Sequence, residues 1–168
     1  VTVFAEGETS GEGWELREGI LDITGKLTEL PAVEFTKIEV KVDGVLALSD
    51  GTAVAVPGFN NGTISGGTFK EIMTNDETIT GGVYEKSVDN LVRSVISGGT
   101  FNVSIKQPGG HQNKYVISGG TFVEDVTAYV AQGYKVTALT NNAGKYIVAA
   151  DDAKVVESAS DLTDAVAN

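Results

Sequence analysis

The chain has 168 residues, of which 23 are acidic and 12 are basic, and its formal net charge at pH 7 is −11. This charge argues against nucleic acid and anionic membrane surfaces as partners, since both attract basic patches, and no run of apolar residues is long enough to predict membrane insertion. The absence of cysteine excludes a disulfide scaffold and a thiolate zinc site. Glycine accounts for 21 residues, one in eight, whereas proline accounts for only 3. Because Val, Ile and Thr are abundant, we expect an acidic β-rich protein rather than a disordered or collagen-like one.

Residues 1–20 contain the only tryptophan, Trp14, within a stretch rich in Gly and Glu. We interpret them as an N-terminal cap or an irregular first rung of the repeats that follow. The chain begins at Val1 without the basic and apolar regions of a signal peptide, which favours a mature or excised segment.

A six-residue motif recurs within residues 21–122, which we interpret as the rungs of a solenoid. Ile-Ser-Gly-Gly-Thr-Phe begins at Ile64, Ile96 and Ile117, and a softened copy, Ile-Thr-Gly-Gly-Val-Tyr, begins at Ile79. Two weaker copies are expected at Ile23-Thr24-Gly25 and at Val42-Asp43-Gly44. A mean spacing of about 19 residues is too short for helix-pair repeats, which need about 33 residues. The pattern therefore predicts an all-β fold, a single-stranded right-handed parallel β-helix.

Each copy describes two short strands joined by a sharp bend, where glycine allows positive φ and close approach of two backbones. We expect the paired glycines to stack at one corner of the coil, where a Cβ atom would clash with the neighbouring rung. These predicted structural corners are Gly66, Gly67, Gly81, Gly82, Gly98, Gly99, Gly119 and Gly120. The apolar residues on either side are expected to point inward and to stack on their equivalents about 4.8 Å away. These predicted internal stacks are Ile64, Ile79, Ile96 and Ile117, and Phe69, Tyr84, Phe101 and Phe122.

An asparagine precedes every strong copy by three to six residues. Asparagine tolerates the left-handed backbone region and bonds its own backbone in turns. We therefore expect these side chains at the opposite corner of each coil. They are Asn61, Asn75, Asn90 and Asn113.

Residues 123–150 are predicted to form a C-terminal cap, because the last rung of a solenoid exposes unpaired edges. Asp125 is a candidate helix N-cap, and Val126, Tyr129 and Val130 recur at helical spacing before Gly133. Two alternating stretches then follow, joined by a short turn, and predict a β-hairpin. Residues 151–168 are interpreted as a linker or an assembly tail.

The repeats and the segment after them resemble a known type of protein module. The final Ile-Ser-Gly-Gly-Thr-Phe runs into Val-Glu-Asp-Val-Thr-Ala-Tyr-Val-Ala-Gln-Gly-Tyr-Lys-Val at residues 123–136. This sequence resembles right-handed β-helix modules of large bacterial surface proteins, often labelled pectate-lyase-like adhesive domains. The resemblance extends over residues 60–150 and implies an extracellular, modular, non-catalytic protein. Related β-helices also occur in phage tail spikes, fibres and capsid decorations.

The sequence offers no convincing catalytic or metal site, and we expect neither a cofactor nor enzymatic activity. Acidic residues fall at turns without an Asp-x-Asp cluster, so we interpret them as turn residues rather than calcium ligands; they are Asp43, Asp50, Asp76 and Asp89. Glu71 and Glu124 share an offset from the repeat aromatic, but three rungs separate them by roughly 14 Å, too far for a glycosidase pair. His111, the only histidine, lies in a Gly/Pro loop without a nucleophile motif.

Two functional hypotheses remain open. The first is a structural and adhesive module of a secreted or cell-surface bacterial protein, a rigid solenoid that contacts host glycans, surface proteins or neighbouring modules. If a face binds glycans, we favour Trp14, Tyr115 and Tyr134. The second is a phage virion protein, either a capsid decoration, a fibre or a tail spike, whose partners are other virion subunits. An enzyme acting on polyuronides is a third possibility that we do not expect.

Overall fold

The computed structural model describes residues 7–106, 116–142 and 144–153. Over these residues the chain is an all-β solenoid of about six turns, as the repeats predicted. Successive turns contribute short strands to three sheets, which we call sheets A, B and C, and neighbouring turns pair in parallel.

From the second turn onward, the strands of each turn follow the order A, B, C; among the described residues the first turn contributes only β3 and β4. Sheet A consists of β1 (Thr9–Gly11), β2 (Trp14–Arg17), β3 (Ile20–Ile23), β5 (Lys37–Val40), β8 (Gly58–Asn60), β11 (Met73–Asn75), β14 (Val88–Asn90) and β17 (Ile105–Lys106). Sheet B consists of β4 (Lys26–Leu27), β6 (Val45–Ala47), β9 (Thr63–Gly66), β12 (Thr78–Ile79), β15 (Val95–Ile96) and β18 (Val116–Ile117). Sheet C consists of β7 (Ala53–Val54), β10 (Thr68–Phe69), β13 (Val83–Tyr84), β16 (Thr100–Phe101), β19 (Gly120–Phe122), β21 (Tyr146–Ala150) and β20 (Tyr134–Ala138).

The core is a set of columns that run along the coil axis, each built from the inward-facing residue of successive turns. In sheet B the column is Leu27, Leu46, Ile64, Ile79, Ile96 and Ile117. In sheet C it is Val54, Phe69, Tyr84, Phe101 and Phe122. Sheet A contributes Leu21, Ile38, Gly58, Met73, Val88 and Ile105. Burial of each large aliphatic or aromatic side chain contributes about 1.5–3 kcal/mol, so the stacked turns stabilise one another.

The two weaker repeat copies lie in a different register from the one expected. Ile64 pairs with Leu46, and Leu46 pairs with Leu27. Ile23 belongs to sheet A instead, and Val42 is 72% exposed in a turn. The expected copies at Ile23 and Val42 are therefore wrong, because leucine occupies the inward position of sheet B in the first two turns.

The α-helix expected after Asp125 is not confirmed. The described residues there contain only a three-residue 3-10 turn, Thr127–Tyr129. Val126 is buried and follows the aromatic residue Phe122 by four positions, the same offset that separates the buried Ile105 of sheet A from Phe101. Val130 forms a parallel β-bridge with Ile117 of sheet B. The segment therefore forms part of a seventh turn, and its apparent helical spacing reflects stacking on sheets A and B.

Both ends of the coil change from parallel to antiparallel pairing. At the N-terminal end β1 and β2 extend sheet A as antiparallel strands below β3. At the C-terminal end β20 and β21 form the expected hairpin, and β21 pairs antiparallel with β19.

Asp125 accepts hydrogen bonds from the backbone N–H and the hydroxyl of Thr127, and these bonds hold the pKa of Asp125 below its usual value. No helix in the described part of the chain is long and apolar enough to cross a membrane.

Candidate functional site

The corner between sheets B and C is formed by the first glycine of each repeat. At Gly98 a Cβ atom would collide with the backbone carbonyl oxygen of Thr80 in the turn below. Equivalent collisions with a carbonyl oxygen would occur at Gly66, Gly81 and Gly119. The turns can thus approach each other at this corner only because no side chain is present.

The second glycine of each repeat has a different role. Gly99 has a φ of 110°, a region that residues with a side chain rarely adopt. The other second glycines also have positive φ, at Gly67, Gly82 and Gly120. This conformation turns the chain from sheet B into sheet C and directs the next aromatic residue inward.

A groove of about 370 Å³ follows this corner along the outside of the coil, and we call it the glycine groove. Its floor is the backbone of the paired glycines, and its lining extends from Asp50 in the second turn to Ile147 and Val148 on β21. Ser65, Thr100 and Thr121 contribute hydroxyl groups to the lining. The groove therefore offers backbone and hydroxyl hydrogen-bonding groups to an extended ligand, with Asp50 as the charged side chain of the described lining.

An aromatic stack lies directly inside this corner. The ring centroids of Phe69, Tyr84, Phe101 and Phe122 are separated by 5.0, 4.7 and 4.9 Å in turn, and their planes are within 11° of parallel. All four side chains are buried, so they form a ladder inside the coil rather than a platform for a sugar. The hydroxyl group of Tyr84 donates a hydrogen bond to the carbonyl oxygen of Gly81 at 3.1 Å. Burial raises the pKa of Tyr84 well above its usual value, and the negative charge of Asp50 makes a smaller contribution in the same direction.

Three asparagines form a second ladder, at the end of the sheet A strands. Asn60, Asn75 and Asn90 are in register and fully buried. Asn60 Nδ2 donates to Asn75 Oδ1 at 2.8 Å, and Asn75 Nδ2 donates to Asn90 Oδ1 at 3.0 Å. The ladder includes Asn60 and not the expected Asn61, and its members pair with one another inside the coil. These hydrogen bonds between amides of neighbouring turns offset much of the cost of burying Asn60 and Asn75, whereas Asn90 Nδ2 has no partner among the described residues.

The acidic residues considered as calcium ligands do not come together: Asp43 and Asp50 follow different strands of the second turn, Asp76 follows β11, and Asp89 lies within β14. Asp43 lies in an exposed turn with a φ of 66°, and Asp50 lines the glycine groove. Asp76 pairs with Arg93 at 2.5 Å, and Asp89 accepts a hydrogen bond from Ser87 at 2.8 Å. In the described residues no three His, Cys, Asp or Glu side chains come close enough together to hold a metal ion.

Glu71 and Glu124 have separate environments at the corner between sheets C and A. Phe69 and Phe122, which precede them, are three turns apart in the sheet C ladder. Glu71 lies 3.9 Å from Lys86 at the surface. Glu124 Oε1 accepts a hydrogen bond from the backbone N–H of Ile105 at 2.7 Å. The structure thus gives Glu124 a role at the end of sheet A, which the sequence did not indicate.

The surface charges pair mainly between neighbouring turns. Lys70 contacts Glu85 at 2.7 Å, and Lys41 contacts Asp22 at 3.2 Å and Glu39 at 2.8 Å. Partial burial lowers the pKa of Lys41, but its hydrogen bonds to the two carboxylates outweigh this effect and leave its pKa raised. Such pairs on an exposed sheet contribute little individually, about 0–1 kcal/mol each.

The residues favoured for glycan contact are not brought together. Trp14 lies on β2 at the N-terminal end and packs partly against the core, whereas Tyr134 lies on β20 at the C-terminal end and is 39% exposed. Tyr115, His111 and Asn113 lie outside the described residues. The glycine groove was not anticipated as a surface feature, although the repeated glycine pairs indicated where it would occur.

No family model, no curated protein and no solved structure matches this chain.

Proposed function

We propose that this chain is a non-catalytic structural and adhesive module of a secreted or cell-surface bacterial protein. In this proposal the solenoid acts as a rigid rod, and its outer faces contact a glycan, a host surface protein or a neighbouring module. The proposal rests first on the continuity of the core columns, which run through successive turns without interruption from Leu27 to Ile117 in sheet B.

The continuous columns suit a rod because bending would have to break several of them together. The aromatic ladder keeps centroid spacings of 4.7–5.0 Å over four turns. The same four turns carry buried Ile residues in sheet B, and three of them carry buried Asn residues in sheet A. Close-packed interiors of this kind deform little, so the outer residues keep fixed spacings.

The glycine groove supports a contact with a linear, hydroxyl-rich ligand. Its lining combines glycine backbone with the hydroxyl groups of Ser65, Thr100 and Thr121. Sugars offer many hydrogen-bond donors and acceptors, and a groove open along its length can accept an extended chain. The net charge of −11 favours a neutral or cationic glycan over an anionic one.

The alternative is a virion protein, and one observation favours it. β20 ends sheet C in the described part of the chain and leaves one side without a paired strand. An unpaired strand edge is a template for pairing with another subunit. A capsid decoration, fibre or tail spike built from several copies could use this edge for assembly.

The location of the protein separates the two proposals. We expect an antibody raised against this chain to label intact, unpermeabilised bacteria of the source strain. Recovery of the protein only in purified phage particles would instead support the virion alternative and exclude the surface module.

Glycan binding can be tested at the groove itself. Ser65→Trp and Thr100→Trp place a bulky side chain in the groove without changing a core position. We expect both variants to lose binding to any neutral polysaccharide that the unmodified chain binds on a glycan array. Thr74→Trp, on the outer face of sheet A, is the matched control and should bind normally. Equal binding by all three variants would show that the groove is not the contact site.

A further inference from the structure

The outer edge of β20 presents backbone groups that no strand of the described residues pairs. The backbone N–H of Asp151, next to β21, donates to the carbonyl oxygen of Gly133 at 2.9 Å, so Gly133 and every second residue after it face β21. Successive residues of a strand direct their backbone groups to opposite sides, and the groups of Val136 and Ala138 therefore point away from β21. β20 contains neither a proline nor a bulge, the features that commonly keep another strand from an edge.

The core-facing side of sheet C loses its cover at the same edge. Val136 lies opposite Val148 of β21 and therefore shares its face. Val148 is 3% exposed, whereas Val136 is half-buried. Tyr134 and Ala138, two positions away on either side, share this face, and both are exposed. The interior of the coil thus ends in a small apolar surface along the open strand edge.

The charges around this edge are balanced, although the whole chain has a net charge of −11. Residues 134–152 carry two lysines and two aspartates: Lys135, Lys145, Asp151 and Asp152. The other end of the coil carries the edge strand β1, and residues 7–19 there contain four glutamates against one arginine. Like charges repel, so two copies of this acidic chain can approach each other more easily at β20 than at β1.

We propose that the outer edge of β20 pairs antiparallel with β20 of a second copy of this chain, about a twofold axis at Val136. In this register Val136 of one copy faces Val136 of the other, and Ala138 faces Tyr134. The N–H groups of Val136 and Ala138 donate to the carbonyl oxygens of Val136 and Tyr134 in the second copy, and the symmetry repeats both bonds in the other direction. The N–H of Tyr134 is not needed, since it donates to the carbonyl oxygen of Ala131 at 3.2 Å.

This pairing joins two coils tail to tail, because the twofold axis reverses the direction of the second coil. The two seven-stranded sheets become one continuous sheet, and the apolar surfaces of both copies meet at Val136. The Lys145 end of β21 in each copy comes to lie beside the Asp151 end of β21 in the other, three strand spacings or about 14 Å away. A parallel arrangement would instead place like charges at the same end, so the charges favour the antiparallel one.

Sedimentation equilibrium of the full chain, combined with hydrogen exchange, tests this proposal. We expect a reversible dimer, and exchange of the Val136 and Ala138 amides that slows by roughly tenfold or more as the dimer forms. Ala138→Pro removes a donor from the open edge without removing a bond to β21, and it should leave the chain monomeric. An unchanged circular dichroism spectrum shows that this variant keeps its fold.

A matched pair of substitutions at Thr137 tests the register without depending on proline. Thr137 of one copy faces Lys135 of the other on the outer side of the sheet, away from the core. We expect Thr137→Glu to lower the Kd of the dimer roughly fivefold and Thr137→Lys to raise it roughly fivefold, because each change acts twice in a symmetric pair. Thr74→Glu and Thr74→Lys change the net charge equally on the outer face of sheet A, and both should leave the Kd within about twofold of the unmodified chain.

Three results would overturn the proposal. The first is a chain that stays monomeric up to millimolar concentration. The second is a dimer whose Kd does not respond to the Thr137 substitutions, which would place the contact elsewhere. The third is slow exchange of Val136 and Ala138 in the dilute monomer, which would show that another part of the same chain covers the edge. Each result leaves the surface-labelling experiment unaffected, since the pairing does not depend on whether the chain is a surface module or a virion protein.

Discussion

The carboxylate of Glu124 accepts a hydrogen bond from the backbone N–H of Ile105 at 2.7 Å. In the turns below, the equivalent N–H groups donate to a main-chain carbonyl of the following turn. Gly58 donates to Ile72 at 2.9 Å, and Met73 donates to Ser87 at 3.1 Å. The side chain of Glu124 thus replaces the carbonyl of a next strand, which sheet A lacks beyond β17 in the described part of the chain, and it closes the C-terminal end of the ladder.

Replacing Glu124 should destabilise the coil from this end. We expect Glu124→Ala to lower the free energy of unfolding by about 1–2 kcal/mol, because the N–H of Ile105 loses its partner. Glu124→Gln keeps an oxygen acceptor and should cost less. Denaturant titration followed by circular dichroism measures both. Glu71→Ala is the matched control, since Glu71 has the same offset from a repeat aromatic but, within the described residues, contacts Lys86 at the surface instead of a backbone N–H. An equal loss in Glu71→Ala and Glu124→Ala would contradict the capping role.

The asparagine ladder should depend most on its central member. Asn75→Ala removes an acceptor from Asn60 and a donor from Asn90 in a fully buried column. We expect a loss of about 2–3 kcal/mol in the free energy of unfolding, measured by denaturant titration. Asn61→Ala should change stability by less than about 0.5 kcal/mol, because Asn61 is only half-buried and lies outside the ladder. A larger loss in Asn61→Ala than in Asn75→Ala would reject the ladder as a stabilising element.

The glycine corner should not tolerate a methyl group. Gly98→Ala would drive its Cβ atom into the carbonyl oxygen of Thr80, and Gly98→Val would add more atoms at the same place. We expect Gly98→Ala to cost about 2 kcal/mol or more, and Gly98→Val to cost more still. Gly51→Ala is the control, since a Cβ atom there meets nothing within 4 Å, and it should be neutral or slightly stabilising. Similar melting temperatures for Gly98→Val and the unmodified chain would refute the close approach of the turns.

The buried tyrosine should make stability depend on alkaline pH. Burial raises the pKa of Tyr84 well above its usual value of 10.0 in the folded state, so an unfolded chain releases this proton at lower pH than the folded chain. The folded state therefore binds more protons above about pH 10, and its stability falls as the pH rises through this region. We expect Tyr84→Phe to show a shallower fall in the free energy of unfolding between pH 9 and 11. Tyr134→Phe, at an exposed site, should follow the unmodified chain, and identical slopes in all three proteins would contradict the effect of burial.

The sequence predicted the solenoid because sheets B and C repeat their residue types. The glycine pairs must recur wherever the turns touch, and Ile and Phe recur wherever the interior has the same width. Sheet A could not be recognised in this way. Its inward column changes from Ile38 to Gly58 and Met73, and Met73 reaches into the space that a side chain at Gly58 would need. Compensation between adjacent turns preserves the packing but removes the repeat from the sequence.

The predicted helix after Asp125 and the predicted place of Asn61 among the stacked asparagines were wrong for equally local reasons. Val126 and Val130 are four residues apart, a spacing that suits one face of a helix. The same spacing arises here because the chain crosses from sheet A to sheet B within one narrow turn. Asn60 and Asn61 are adjacent, and only the pairing of Asn60 with Asn75 decides which of them enters the ladder. Neither distinction is available before the register of neighbouring turns is known.

The hydrogen bond from the backbone N–H of Gly62 to Asn60 Oδ1, at 3.1 Å, has a consequence for the chemical ageing of the protein. In an Asn-Gly pair the glycine nitrogen can attack the asparagine side chain, releasing ammonia and forming a succinimide that hydrolyses to aspartate and isoaspartate. The folded chain holds the Gly62 nitrogen against Asn60, while the Asn61 N–H donates to the carbonyl of Val40 at 2.8 Å. Deamidation at Asn61 therefore requires opening of this part of the coil, and isoaspartate at that position would record how long a molecule has spent unfolded.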